Sequence, residues 1–194
     1  MFKLVLFILI FGLAKCHKQT VQITLLGAYG DLAEKYLWNG IFQLYAKNQH
    51  NTEFSIYAAG RENYEKGTEL VKKIIYKTDF CNKISLSNCT HFEELFIEKV
   101  KYVQLKSGEH YNKHCAGLNK VSCNGLTCGQ RIFYLSVPPF AYEGISQHIS
   151  QYCTNNIKFQ LKVVLEKPFG HDYSSAINLS QKLSKHFSED QLYR

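Results

Sequence analysis

The residues able to do chemistry begin at Leu26-Gly27-Ala28-Tyr29-Gly30-Asp31-Leu32-Ala33, directly after the apolar run Val21–Leu25. Glycine lets a backbone turn tightly after a strand and lets a pyrophosphate come within hydrogen-bonding distance of main-chain N–H groups. A helix starting at Leu32 aims its positive end and its unpaired N–H groups at the same place. The signal is weak alone, because the full Gly-x-Gly-x-x-Gly fingerprint is absent. A second candidate stands at Ala58-Ala59-Gly60-Arg61, the end of another apolar stretch. An NAD site usually places an acid there for the ribose 2′-hydroxyl, whereas an arginine accommodates a 2′-phosphate. The guanidinium of Arg61 is a bidentate, permanently charged match to phosphate, with Glu62 beside it as the contrary feature. The third candidate is Lys167, which follows the apolar run Leu161–Leu165 and precedes Pro168, in a bond whose cis and trans forms lie close in energy.

Alternating strands and helices must position these groups. Val21–Leu26 reads as the first strand and Leu32–Lys47 as a helix with Leu32, Tyr36, Leu37, Ile41, Leu44 and Tyr45 on one stripe. Phe54–Ala59 predicts a second strand and Tyr64–Tyr76 a helix. Lys77–Thr90 reads as a polar surface insertion, Phe92–Phe96 as a short helical patch and Lys101–Leu105 as a third strand. Gly108–Asn119 predicts a helix, Lys120–Gln130 a loop, Ile132–Val137 a strand ending at Pro138-Pro139, and Tyr142–Tyr152 a helix. Leu161–Leu165 and Tyr173–Phe187 complete the series as strand and helix. Near-continuous apolar strands separated by helices indicate a sheet covered on both faces. The predicted fold is a doubly wound α/β domain with a mostly parallel, Rossmann-like sheet. All three candidate stretches then fall at carboxyl ends of strands, where open α/β sheets bind ligands.

Gly27–Leu37, Arg131-Ile132-Phe133-Tyr134-Leu135-Ser136-Val137-Pro138-Pro139 and Val164-Leu165-Glu166-Lys167-Pro168-Phe169-Gly170-His171-Asp172 together resemble the glucose-6-phosphate dehydrogenase family. Lys35-Tyr36-Leu37-Trp38, Phe42-Gln43-Leu44-Tyr45 and Pro138-Pro139-Phe140-Ala141-Tyr142-Glu143 resemble its endoplasmic-reticulum branch. The likeness runs in order from about Val21 to Arg194. It implies NADP as cofactor, held by Gly27, Ala28, Tyr29, Gly30, Asp31, Leu32, Ala33, Glu34, Arg61, Tyr142 and Lys167. It also implies that Lys167 reaches the sugar phosphate substrate, glucose 6-phosphate or a related hexose phosphate, and that Pro168 could switch its position. Two residues depart from the family pattern: Tyr29 replaces a small hydroxyl residue, and Glu34 replaces lysine, which puts a charge near the phosphate site. By the same resemblance, the histidine base and the β-rich substrate and dimerisation domain belong to residues after Arg194, with a lactonase domain as an optional further part. A homodimer is therefore expected of the full-length enzyme alone.

The chain has 194 residues, 45% of them apolar, enough for one domain with a real core. Its formal charge of +7 is scattered and lacks the basic and aromatic alternation of a polynucleotide groove, so no nucleic-acid partner is expected. Lys3, the apolar stretch Leu4–Leu13 and Ala14-Lys15-Cys16 have the layout of a secretory signal peptide rather than of a membrane span. The expected domains are thus a signal at residues 1–16 and a coenzyme domain at 17–194, truncated at its C-terminal end. The address is the endoplasmic reticulum lumen, with secretion as second choice. Cys81, Cys89, Cys115, Cys123, Cys128 and Cys153 remain, an even count that permits disulfides but leaves the pairing open. No spacing forms a convincing zinc site. Asn88-Cys89-Thr90 and Asn178-Leu179-Ser180 fit the glycosylation pattern, and Asn178 falls in a predicted helix.

A Tyr-x-x-x-Lys pair of short-chain dehydrogenase type, Tyr102 and Lys106, sits on a predicted strand, where four residues are too far apart to act together. His171, beside the lysine motif, is a weak substitute for the downstream base. The expected function is the coenzyme domain of an NADP-dependent hexose-6-phosphate 1-dehydrogenase. The alternative is a catalytically inactive luminal protein that only binds NADP or acts as an interaction module.

Overall fold

In the computed structural model, the residues described are 18–82, 87–121, 128–156, 158–170 and 172–193. Residues 1–16, expected to form a signal, and Cys123 and His171 lie outside them. Strand β1 (Gln19–Leu26) is buried along nearly its whole length and sits in the middle of the sheet. A π-helical turn (Ala33–Leu37) leads into α1 (Trp38–Asn48), followed by β2 (Thr52–Gly60) and α2 (Tyr64–Lys77). Next come α3 (Cys89–Lys99), β3 (Val100–Gln104) and α4 (Gly108–Leu118). Strand β4 (Gly129–Leu135), a 3-10 turn (Pro139–Ala141) and α5 (Tyr142–Tyr152) precede β5 (Phe159–Leu165) and α6 (Tyr173–Leu183). A 3-10 turn (Glu189–Gln191) and the short β6 (Leu192–Tyr193) end the described chain.

The strands stand in the order β3-β2-β1-β4-β5-β6, every pair parallel. The chain runs outward from β1 in one direction and then crosses back to β4. That reversal opens a crevice at the carboxyl ends of β1 and β4. One face of the sheet is covered by Trp38, Phe42, Tyr45, Phe54, Phe80 and Phe96. The other is covered by Tyr111, Leu118, Phe133, Ile149, Val163 and Leu183.

Helix α3 is longer than the short patch expected around Phe92–Phe96. The Cys81–Cys89 disulfide fixes its start, and Asn88, at φ 64°, turns the chain into it. Phe96 is then fully buried against Phe42, Phe80 and Tyr45. A second disulfide, Cys115–Cys153, ties α4 to the end of α5. Cys128 is also disulfide-bonded. Strands β1 and β4 begin earlier than their apolar runs, because a buried polar network occupies their first halves. Arg131 donates to Gln22 Oε1 at 2.8 Å, to the Cys153 carbonyl at 2.9 Å and to Asn119 Oδ1 at 2.8 Å. Gln22 donates to the Leu118 carbonyl at 2.8 Å, and Thr24 Oγ1 lies 3.0 Å from His114 Nε2. The partners of Arg131 are neutral, so burial lowers its pKa to about 10. His114 falls to about 4, through burial first and the Arg131 charge second. Among the described residues no helix is long and apolar enough to cross a membrane.

Candidate dinucleotide-binding site

Backbone bonds set the glycine turn. After β1, Gly27 and Ala28 both donate to the Ala59 carbonyl, at 3.0 and 3.2 Å, which stitches the turn to β2. Gly27 has φ +77°, and a Cβ there would lie 2.0 Å from the Ser136 carbonyl oxygen, so this position accepts no other residue without rebuilding the turn. Gly30 N–H closes onto the Gly27 carbonyl at 2.9 Å, and Glu34 N–H onto the Gly30 carbonyl at 3.0 Å, which starts the helix. The first-turn N–H groups of Asp31, Leu32 and Ala33 therefore have no intrahelical acceptor. The Trp38 indole, fully buried, donates to the Ala28 carbonyl at 2.8 Å and anchors the turn from below. The π-helical turn delivers Trp38 to that position, its N–H reaching back to the Ala33 carbonyl.

The two departures at Tyr29 and Glu34 have structural answers. The Tyr29 ring lies over Gly60, where a Cβ would stand 2.3 Å from its nearest carbon. Its hydroxyl accepts the Arg61 N–H at 3.1 Å. The tyrosine is thus carried sideways onto the end of β2 and leaves the helix N-terminus open. Glu34 pairs with Lys77 at 2.9 Å, and Asp31 with Lys35 at 3.2 Å, so each carboxylate near the helix start has its own cation. Glu62 pairs likewise with Lys66 at 3.0 Å.

At the end of β2, the Gln104 amide donates to the Arg61 carbonyl at 3.0 Å, and Leu105 N–H to the Gly60 carbonyl at 2.7 Å. The Arg61 backbone is held while its side chain stays exposed. The Tyr102 hydroxyl donates to the Glu62 carbonyl at 2.8 Å, and burial raises its pKa. Tyr102 lies on β3 and Lys106 just past it.

At the end of β5, Glu166 is gripped from behind. The Tyr134 hydroxyl donates to its carboxylate, and the Tyr142 hydroxyl donates to its carbonyl at 3.0 Å while accepting its N–H at 3.2 Å. Burial is the main cause of the raised pKa of both tyrosines, so they stay protonated donors. Tyr142 is 1% exposed, and its hydroxyl is committed to the strand end that carries Lys167. Lys167 is exposed and joined to Pro168 by a cis bond. Asp172 caps α6 through Ser175 N–H at 2.7 Å.

The ends of β1, β2, β3 and β4 border a crevice of about 370 Å³ whose lining includes Gly27, Tyr29, Arg61, Lys106, Pro138 and His148 but not Tyr142 or Lys167. A larger hollow of about 570 Å³ lies near Arg131, Phe159 and Tyr193, toward the amino-terminal end of β5 and away from the glycine turn. The glycine turn and the helix start after it fit a pyrophosphate. A Cβ at Gly30 would meet, among the described residues, one atom, the Gly27 carbonyl oxygen at 3.3 Å, so the fold itself leaves that approach free. From Arg61 at β2 to Lys167 at β5 is three strand spacings, roughly 14 Å, with the helix start between them. Sequence reasoning missed Lys106, His148 and the Gly60–Tyr29 contact as parts of this crevice. The one available signal was their place at or after a strand end.

Strand order, glycine turn and helix start define a Rossmann-type dinucleotide-binding domain. The profile of the family described as "Glucose-6-phosphate dehydrogenase, NAD binding domain" matches residues 24–194. The chain is 41% identical over 180 residues to the human GDH/6PGL endoplasmic bifunctional protein, covering 90% of this chain and 22% of that one. It is 29% identical to the chloroplastic glucose-6-phosphate 1-dehydrogenase of Nicotiana tabacum, covering 91% of this chain and 29% of that one. A solved glucose-6-phosphate dehydrogenase in complex with glucose-6-phosphate superposes with a TM-score of 0.72 at 27% identity, over 94% of this chain and 37% of that chain. The chain belongs to the glucose-6-phosphate dehydrogenase family as its coenzyme-binding domain, and the cofactor of that family is NADP. It spans about a fifth to a third of the length of the curated relatives named here.

Proposed function

We propose that this chain supplies the NADP site of a hexose-6-phosphate 1-dehydrogenase, which oxidises the sugar at C1 to 6-phosphogluconolactone. The observation that carries the reading is the junction of an open glycine turn with an exposed, backbone-anchored Arg61 and, among the described residues, no acid lining the crevice. Within the stretch Gly27–Glu34, the N–H groups of Asp31, Leu32 and Ala33 would bind the pyrophosphate, together with the helix dipole. Arg61 would take the 2′-phosphate, and Pro138 would shape the backbone where the dinucleotide passes. NADP, when bound, accepts the hydride from the sugar. Lys167 would orient the sugar phosphate from the end of β5, with Tyr142 holding the Glu166 backbone behind it. The base that removes the C1 hydroxyl proton belongs, on this reading, to the part of the relatives this chain does not span, as do the dimer interface and any lactonase domain. The likeness to an endoplasmic relative, with Leu4–Leu13 as a signal core, supports a luminal address.

Calorimetric titration tests the reading. NADP binds the 194-residue chain, Arg61→Ala weakens NADP by about tenfold or more with little effect on NAD, and glucose 6-phosphate yields no NADPH. Equal losses for both cofactors overturn the assignment of Arg61, and sugar-dependent NADPH formation overturns the division of labour.

A further inference from the structure

The crevice holds a second cation that neither the glycine turn nor Arg61 explains. Beyond the last ladder pair, Gly60 with Gln104, the β2–β3 pairing continues through the bond from Leu105 N–H to the Gly60 carbonyl. In this register Arg61 stands opposite Leu105, and Lys106 is the next residue on the neighbouring strand end. Both side chains are exposed and both line the same crevice. Among the described residues neither takes part in a salt bridge. Among the described residues no Asp or Glu belongs to the lining, and the carboxylate next to Arg61, Glu62, is taken by Lys66. Two unopposed positive charges on adjacent strand ends repel each other, and a doubly charged anion between them turns that repulsion into attraction. Beside them, Leu105 and Tyr111 are 5% and 2% exposed and, with Ile145, give the crevice an apolar wall suited to a flat base.

We propose that Lys106 is a second specificity-determining residue, sharing the 2′-phosphate of NADP with Arg61. Arginine supplies the planar fork and lysine a mobile point charge on the opposite side of the phosphate. The proposal rests on reading the crevice as the NADP site and adds to it a residue on a different strand. It also gives a reason for cationic residues at both strand ends, where one would serve for recognition alone.

The test is calorimetry on the full chain with four probes: NADP, NAD, adenosine 2′,5′-bisphosphate and ADP. Lys106→Ala should weaken NADP and the bisphosphate by about tenfold and change NAD and ADP by less than about twofold. Lys106→Arg should keep most of the NADP preference, and Lys106→Glu should reverse it. The salt dependence of bisphosphate binding should be shallower in Lys106→Ala, because one charge contact is gone. If the unaltered chain prefers NADP and Lys106→Ala keeps the whole preference, the role of Lys106 falls while the cofactor reading stands. If the unaltered chain binds NADP and NAD alike, or neither, both fall together.

Discussion

The placement of Tyr29 on Gly60 can be tested with a double-mutant cycle. Gly60 has no positive φ, so its backbone accepts alanine. The obstacle is the ring. A new Cβ would stand 2.3 Å from Tyr29 Cε1, 2.6 Å from the hydroxyl oxygen and 2.7 Å from Cζ, where ordinary contacts begin near 3.4 Å. The ring must move by about 1 Å, which strains a half-buried packing site by roughly 1 kcal/mol. It also breaks the bond from Arg61 N–H to the hydroxyl, worth about 1 kcal/mol. Gly60→Ala should therefore cost about 2 kcal/mol in urea unfolding. The displaced ring swings over the crevice mouth and lowers NADP affinity by about tenfold. In a Tyr29→Ala background the same change should cost less than about 0.5 kcal/mol, a coupling near 1.5 kcal/mol. Additive costs, or a Gly60→Ala protein that binds NADP normally, would refute the stated position of the tyrosine.

Three further outcomes follow. His114 is held neutral in the fold with its pKa near 4, while an unfolded histidine titrates near 6.5. Between those values the unfolded chain binds a proton that the folded chain does not. The stabilisation is full above pH 6.5 and is lost as pH falls toward 4, by about 3 kcal/mol. Urea midpoints at pH 7 and pH 4.5 should therefore fall further for the unaltered chain than for His114→Gln. Trp38→Phe removes the donor to the Ala28 carbonyl and should cost about 1–3 kcal/mol, with a severalfold loss of NADP affinity. Asn88 is exposed at a turn, whereas Asn178 lies within α6. Material passed through a secretory pathway should lose mass on enzymatic deglycosylation, and Asn88→Gln, not Asn178→Gln, should abolish that change.

Much of the fold was legible because β1, β4 and β5 carry the apolar runs of strands buried on both faces. The turns after them announce themselves through Gly27, Pro138 and Pro168. What stayed hidden depends on partners far apart in sequence. The early start of β1 and β4 reflects Gln22 and Arg131, which bond across 109 positions. Neither residue type belongs in a buried strand until the other is placed beside it. The full length of α3 depends on which cysteine Cys89 meets, and spacing left that open. The harmlessness of Tyr29 and Glu34 follows from Gly60 and Lys77, on β2 and α2. Lys106 was visible solely as half of a rejected catalytic pair, because its role needs the parallel register of β2 and β3.

The most direct test of the central claim is an amide-resolved NMR titration of the nitrogen-15-labelled chain with NADP. Saturable shifts should concentrate at Gly30, Asp31, Leu32 and Ala33 and at Arg61, with NAD moving the first group and sparing Arg61. Amides at those positions that stay still at millimolar NADP would contradict the account.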